Sequence, residues 1–337
     1  MEPTPHTSPA DGWLDSYLVG SMDPSVEPLP VAESPHAPAT GAGWEPFVVG
    51  TPCLRFEPRP PSTISYRPDT LCDGWSTDQL TVRLASVRGY AHRHDGRPRE
   101  DDVAAAYHQP TGTVVFAVAD GVSSASQAYI GATLVCRAAI DDITAQLDDG
   151  PEVDLVRTVR SAAWQLAARV AGGGRAVTAE DSQEAERRYA TTLVAGTVGV
   201  GRHGVPEVSL VQVGDSGAWV LHRGSGRFER LLKTKDSTGE EVLSSAVTPL
   251  PRVPTALRPT RVSLRPDSVL LVGSDGFGDP LGDGAGEVAQ LFAHHLRTPP
   301  PIRGIAHLLD FSRETFDDDR TLLAVWPRHL LPGDGGE

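Results

Sequence analysis

The chain has 337 residues, 39% of them hydrophobic, enough for the core of one large domain or two smaller ones. Its formal net charge of −14 argues against a nucleic-acid-binding surface and offers nothing to an anionic membrane. No apolar run nears the roughly 20 residues a bilayer requires, the start Met1-Glu2-Pro3-Thr4-Pro5 lacks both parts of a signal peptide, and Cys53, Cys72 and Cys136 are odd in number and outside zinc-ligand spacing. The expectation is a cytoplasmic protein with neither a nucleic-acid nor a membrane partner.

Fourteen of the 29 prolines fall before residue 70, among Ser, Thr, Glu and Gly. Such a stretch buries too little apolar surface to offset its ordering entropy, so residues 1–75 read as a Pro-rich disordered tail and 76–330 as the folded domain, with 331–337 a flexible end. Short apolar clusters in the tail, Trp13-Leu14 and Phe47-Val48-Val49, suit a docking peptide for a protein partner. From Leu80 onward the pattern predicts strands over 80–86, 103–107, 113–119, 191–200, 207–213, 218–222, 261–264, 269–272 and 321–326. Helices are predicted over 126–147, 153–171, 286–296 and 302–316. In the second helix Val156, Val159, Ala163, Leu166 and Val170 share one face, so it covers a sheet. Short polar turns such as Arg265-Pro266-Asp267-Ser268 join neighbouring strands as antiparallel hairpins. The result is an α+β domain of layered sheets and helices.

Acids punctuate this pattern. Arg99-Glu100-Asp101-Asp102 precedes a strand, Val115-Phe116-Ala117-Val118-Ala119 ends in Asp120-Gly121, Leu270-Leu271-Val272-Gly273 ends in Ser274-Asp275-Gly276, and Asp317-Asp318-Asp319-Arg320 leads into Thr321. Acids at the ends of buried strands sit on a sheet rim, where several together repel strongly unless a cation holds them. An all-oxygen set suits Mg²⁺ or Mn²⁺ and disfavours zinc.

The ordered motifs Arg-Glu-Asp, Ala-Asp-Gly-Val (119–122), Val-Gly-Asp-Ser (213–216), Ser-Asp-Gly-Phe-Gly-Asp (274–279) and Asp-Asp-Arg-Thr (318–321) resemble the metal-dependent serine/threonine phosphatases of the PPM, or type 2C, family over roughly residues 80–327. The resemblance implies a four-layer αββα sandwich, two Mn²⁺ or Mg²⁺ ions at one edge, and hydrolysis of phosphoserine and phosphothreonine in protein substrates. It implies Asp120 as the carboxylate bridging both ions, the Gly121 carbonyl as a further ligand, and Asp275 and Asp318 completing the first ion's shell; these three aspartates are the catalytic acids. Glu100 and Asp101 match the pair that holds the waters around the ions, and Asp215 and Asp279 the positions of a weaker third ion.

The chain departs from the family in three places. Gly96 stands where a phosphate-binding arginine is common, which leaves Arg97 and Arg99, with Arg93 behind them, as substitutes. Val122 replaces a histidine that some members use as a general acid, and His92, His94 and His108 are the histidines nearby. Gly217 replaces a frequent arginine. Lys233 to Pro254 falls where the family carries a flap, and substrate selection is expected there. The missing arginine leaves a rival of another class, a catalytically silent PPM-like regulatory or phosphoprotein-binding module. Gly172-Gly173-Gly174 lacks the Lys-Ser/Thr of a phosphate loop and reads as a hinge or a helix terminus.

Overall fold

Side-chain alternation along the strands sorts the molecule into layers. The computed structural model describes residues 45–54, 56–60, 67–201, 205–232 and 248–328. Most of the proposed flap, the Trp13-Leu14 cluster and residues 331–337 lie outside the described residues. In chain order the strands are β1 (Thr70–Ser76), β2 (Leu80–Val87), β3 (Asp102–His108), β4 (Thr113–Ala119), β5 (Leu193–Val200), β6 (Pro206–Val213), β7 (Gly217–His222), β8 (Arg227–Arg230), β9 (Thr260–Ser263), β10 (Ser268–Gly273) and β11 (Arg320–Pro327). The helices are α1 (Tyr90–Asp95), α2 (Ala128–Asp149), α3 (Leu155–Ala171), α4 (Ala179–Tyr189), α5 (Asp275–Leu281), α6 (Glu287–His295) and α7 (Ile302–Leu309).

Two sheets form, ordered β1-β2-β11-β10-β7-β8 and β3-β4-β5-β6-β9, with every neighbouring pair antiparallel. Successive residues of a strand point to opposite faces. Val82, Leu84, Phe116, Val118, Leu270, Val272, Leu323 and Val325 therefore meet between the sheets. The alternate residues Val87, Leu271, Leu322 and Trp326 pack outward against Phe277, Phe292, Ile305 and Leu309 of α5, α6 and α7. On the opposite side Val115, Ala117, Leu193 and Ala195 meet Ile143, Val159 and Leu166 of α2 and α3. This is the expected four-layer αββα sandwich.

Local signals set the helix ends. Asp154 caps α3 by accepting from Val156 N and Arg157 N, both at 3.0 Å, and the helix stops at Gly172, whose φ of 76° is left-handed. The glycine triplet is thus a terminus. The last helix is shorter than the predicted 302–316 and ends at Leu309. Among the described residues, no helix is long and apolar enough to cross a membrane.

The folded part begins earlier than the boundary at residue 76. β1 pairs with β2 along its whole length, and the compact unit starts at Pro46. Val49 N donates to Ser312 O at 3.1 Å, Ser312 N to Phe47 O at 2.7 Å and Cys53 N to Ser312 Oγ at 2.8 Å. Val49 is buried among the α6 and α7 side chains, and the Phe47 ring lies 5.0 Å from His295 and 4.8 Å from His307. Backbone pairing with a loop, rather than a long apolar run, holds this segment, so composition did not reveal it. Arg67 goes further, donating to Tyr129 O, Thr133 Oγ1 and Asp101 O. Deleting residues 1–44 is expected to leave thermal stability and turnover unchanged. Deleting 1–60 also removes Val49 and bares the α6 and α7 side chains it covers, costs about 2–4 kcal/mol and lowers the Tm by roughly 5–10 °C. A calorimetric Tm equal to that of the full chain would show that the segment contributes nothing.

Candidate metal centre

Antiparallel order brings one end of both sheets to a common rim. Glu100 and Asp101 precede β3, Asp120 follows β4, Asp215 precedes β7, Asp275 follows β10 and Asp318 precedes β11. Gly273 at the end of β10 pairs with Gly217 at the start of β7 and with Leu322 near the start of β11, so these acids come from neighbouring strand ends.

Each is fixed by its backbone. Asp120 N donates to Thr192 Oγ1 at 2.9 Å, while Asp120 O accepts from Thr192 N and Thr191 Oγ1, both at 2.8 Å. Thr192 Oγ1 lies 2.7 Å from Ser216 Oγ, which ties Asp120 to the loop carrying Asp215. Beside Asp120, a Cβ on Gly121 would lie 2.8 Å from Glu100 O and 2.8 Å from Ala128 Cβ, so only glycine brings this backbone so close to the segment before β3 that carries Glu100. Ser274 N donates to Thr321 O at 3.2 Å and Thr321 N to Ser274 Oγ at 3.1 Å, which locks Asp275 beside the Asp318 segment. Asp279 stands one turn after Asp275 on α5, and the two line a cleft with Gly276, Phe316, Asp317 and Asp318.

Crowding shows in the proton affinities. Burial, followed by the charges of Asp101 and Asp275, pushes Asp120 well above the usual carboxylate range. Asp101 is raised likewise by burial and by Asp319. Burial raises Asp275 to about 6, and its carboxylate shares a hydrogen bond with Asp120. Glu100, Asp215 and Asp318 also lie above their ordinary values, by burial for Glu100 and by partial desolvation for Asp215 and Asp318, which stay open to solvent at the rim. Oδ2 of Asp101 is buried with no hydrogen-bond partner. A buried acceptor without a donor, amid carboxyls that resist losing protons, fits a divalent cation held by oxygen ligands.

Asp319 plays a different part from its neighbour. It is 2% exposed; its Oδ1 accepts from Gly89 N at 2.7 Å and its Oδ2 from Glu100 N at 2.5 Å. His92 Nδ1 lies 3.0 Å away. The nearby imidazole and the two backbone donors hold Asp319 below the usual carboxylate range despite its burial, and its charge raises His92 despite the burial of that ring. Asp319 thus fastens β11 to α1 and to Glu100, while the Asp318 carboxyl is half exposed at the rim. His92, which the sequence ranks with surface histidines, is buried in the site. Its partner stands 227 positions away, so local pattern carries no signal for the pairing.

The arginines separate clearly. Arg97 is at the rim, 35% exposed, with Nη2 2.8 Å from Glu100 Oε2 and 3.3 Å from Ser123 O. Arg99 is 2% exposed and turns inward, its Nη1 donating to Ser86 O at 2.8 Å. That placement corrects the expectation that Arg99 binds phosphate, because a guanidinium enclosed behind the rim offers no open face to a substrate. Arg93 is held by Asp69 and Asp310 at 2.9 and 2.7 Å. His94 pairs with Asp95 at the surface, and His108 Nε2 lies 3.0 Å from Asp148, away from the acids.

The family description "Protein phosphatase 2C" matches residues 88–309, about two thirds of the 337-residue chain, and the chain belongs to that family. The match includes Glu100, Asp101, Asp120, Asp215, Asp275 and Asp279 and ends before Asp318. Among solved structures, a bacterial serine phosphatase carrying a lysine-for-arginine substitution is 16% identical, with 73% of this chain and 97% of that one covered and a TM-score of 0.51. The Mycobacterium tuberculosis serine/threonine phosphatase PstP/Ppp is 19% identical over 74% of this chain and all of that one, with a TM-score of 0.48. The catalytic domain of PstP in complex with two manganese ions is 21% identical over 73% and 97%, also at 0.48. At these identities the likeness concerns the fold. No curated protein matches the sequence.

Proposed function

We propose that this chain hydrolyses phosphoserine and phosphothreonine in proteins with the help of two Mn²⁺ or Mg²⁺ ions. The observation that carries this reading is the buried, partnerless Asp101 Oδ2 within a rim of carboxyls supplied by five strand ends. Asp120, Asp275 and Asp318, with the Gly121 carbonyl, would hold the ions directly, and Glu100 and Asp101 would hold the waters around them. Such a pair of ions, when bound, lowers the proton affinity of water and neutralises phosphate oxygens. The residues around them do the positioning. Thr191, Thr192 and Ser216 keep Asp120 in place, Asp319 keeps Glu100 and Asp318 together, and Arg97 presents a guanidinium to a phosphate oxygen at the open side. Val122 has no titratable group and His92 is enclosed with Asp319, so the leaving alkoxide would take its proton from a water.

The test is aryl phosphate and phosphopeptide hydrolysis by the full chain across a metal series. Turnover is expected with Mn²⁺ or Mg²⁺, lost in excess chelator and restored by Mn²⁺. Full activity in chelator, or activation by zinc alone, overturns the assignment. Phosphopeptide binding with no hydrolysis at any metal concentration would instead identify the silent regulatory module. The substrate grip has its own check. Replacing Arg97 with Ala is expected to raise KM while turnover at saturation changes little, by about ten- to hundredfold for a lost charge-assisted contact of roughly 1.5–3 kcal/mol. An unchanged KM would mean that the phosphate is held without this side chain.

A further inference from the structure

A second cleft, of about 680 Å³, opens beside the carboxyl rim. Three pieces of chain wall it: Val122 and Ser124 of the loop after Asp120-Gly121, Glu186 and Ala190 of α4 and its end, and Pro249 and Arg252 of the segment that pairs with Thr191. Backbone hydrogen bonds fix these walls to one another. Val122 N donates to Ala190 O at 3.0 Å, Ser126 N to Arg187 O at 3.2 Å and Gln127 N to Arg188 O at 2.8 Å. Thr191 N donates to Leu250 O at 3.2 Å and Leu250 N to Thr191 O at 2.9 Å, while Thr191 Oγ1 donates to Asp120 O. Ser123, between two lining residues, offers its carbonyl to Arg97 at 3.3 Å. A peptide whose phosphorylated side chain meets the rim at Asp120 and Arg97 therefore has this cleft next to it, and the residues on one side of the phosphate enter it.

Two guanidiniums line the cleft, and their partners engage them differently. Arg187 turns both Nε and Nη2 to Glu184 Oε2, at 3.0 and 2.6 Å. Arg252 gives only Nε, which lies 2.7 Å from Glu186 Oε2, and no hydrogen bond joins either of its Nη atoms to another described residue. The Glu186 side chain is 27% exposed and that of Arg252 66%. A carboxylate set into the wall thus holds the guanidinium by its inner nitrogen and leaves the outer pair open, the end that matches a second carboxylate in a two-point contact. In a chain of net charge −14 an acidic peptide is repelled at long range, so a local cation decides whether it is accepted.

We propose that this cleft seats the residues flanking the phosphorylated side chain and that Arg252, held by Glu186, selects substrates carrying Asp or Glu among them. The inference rests on the phosphatase reading and adds the class of segment that the enzyme takes. Aryl phosphate has nothing to place in the cleft, so the effect of Arg252 belongs to peptides alone.

The test is kcat/KM of the full chain with Mn²⁺ for aryl phosphate and for phosphoserine peptides that carry Glu, Ala or Lys at one flanking position at a time. The unmodified chain is expected to favour Glu over Ala on one side of the phosphoserine by about five- to tenfold. Arg252→Gln and Arg252→Ala should remove that preference, Arg252→Glu should turn it toward Lys, and aryl phosphate hydrolysis should stay at the parental level in all three. Arg187→Gln is the control and should keep the preference. Absence of a Glu preference in the unmodified chain overturns the proposal, as does its persistence in Arg252→Gln and Arg252→Glu. An equal loss in Arg187→Gln would assign the preference to general surface charge, and a parallel fall for peptides and aryl phosphate would place the effect at the rim or in the fold; either overturns it. Aryl phosphate hydrolysis without a flanking preference leaves the phosphatase reading standing, whereas hydrolysis of neither substrate removes that reading and this inference with it.

Discussion

Asp120→Asn is expected to lower Mn²⁺-supported aryl phosphate turnover by roughly 10³-fold or more while leaving the fold intact. The backbone of Asp120 is held by Thr191 and Thr192 whatever its side chain, so the substitution changes charge and not position. An amide loses the anionic oxygen that two cations would share and offers an N–H in its place. Stability should move the other way in the absence of metal. Asp120 is half-buried among like charges that push its proton affinity well up, and a neutral group of the same shape removes that repulsion. The metal-free variant should therefore melt no lower than the metal-free parent, while the rise in Tm that Mn²⁺ gives the parent should shrink.

Linkage supplies a further sign. Asp275 has a folded-state value of about 6 against an ordinary 3.8, so its favourable contribution is complete below about 4 and is lost as pH rises through about 6. The Tm of the metal-free parent should fall over that interval, and Mn²⁺ should oppose the fall. Near-parental turnover in Asp120→Asn, or a Mn²⁺-induced Tm rise equal to the parent's, would remove Asp120 from the centre.

Where the sequence predicts this molecule well, the signal is short-range. Strands with clean alternation or continuous burial, such as Thr113–Ala119 and Arg320–Pro327, lie within a residue or two of their expected bounds. β1 escaped because Cys72-Asp73-Gly74 breaks its apolar pattern, and β8 because Arg-Phe-Glu-Arg buries little. α4 escaped because only Asp181, Ala185 and Tyr189 of its eleven residues are buried, although Thr178 and Asp181 form a capping box that marks its start. The overlong α7 shows the opposite failure. Its apolar pattern runs on to Phe311, but Ser312 N pairs with Phe47 O, a contact across 265 positions that no local pattern carries. The site divides in the same way. Acids following buried strands are visible one motif at a time, whereas the inward turn of Arg99 and the clasp between His92 and Asp319 depend on which strands become neighbours.

Gly276→Ala is expected to damage the centre nearly as much as loss of a ligand, and for a steric reason. An Asp-Gly pair after a strand is ordinarily a turn, and a turn glycine is needed for a left-handed φ. Gly276 has no positive φ. It sits in the first turn of α5, where a methyl would enter the carbonyl oxygen of Asp319 and come within 3.0 Å of its carbonyl carbon and 3.5 Å of Arg320 Cγ. That carbonyl belongs to the backbone entering β11, which Asp319 anchors to Gly89 and Glu100, so the strand cannot yield without moving the rim. α5 must shift instead, and it carries Asp275 and Asp279 with it. Overpacking of this kind costs about 1–3 kcal/mol of stability, and a displacement near 1 Å at reacting groups costs about 10²-fold in rate. Gly150→Ala is the control, because its φ of 167° is ordinary extended backbone and nothing lies within 4 Å of the added methyl. Turnover, Tm and Mn²⁺ affinity measured on both variants separate the readings. A fall in all three for Gly276→Ala alone supports close approach of α5 to β11 as the reason for this glycine, and equal behaviour of the two variants would reduce Asp275-Gly276 to an ordinary turn.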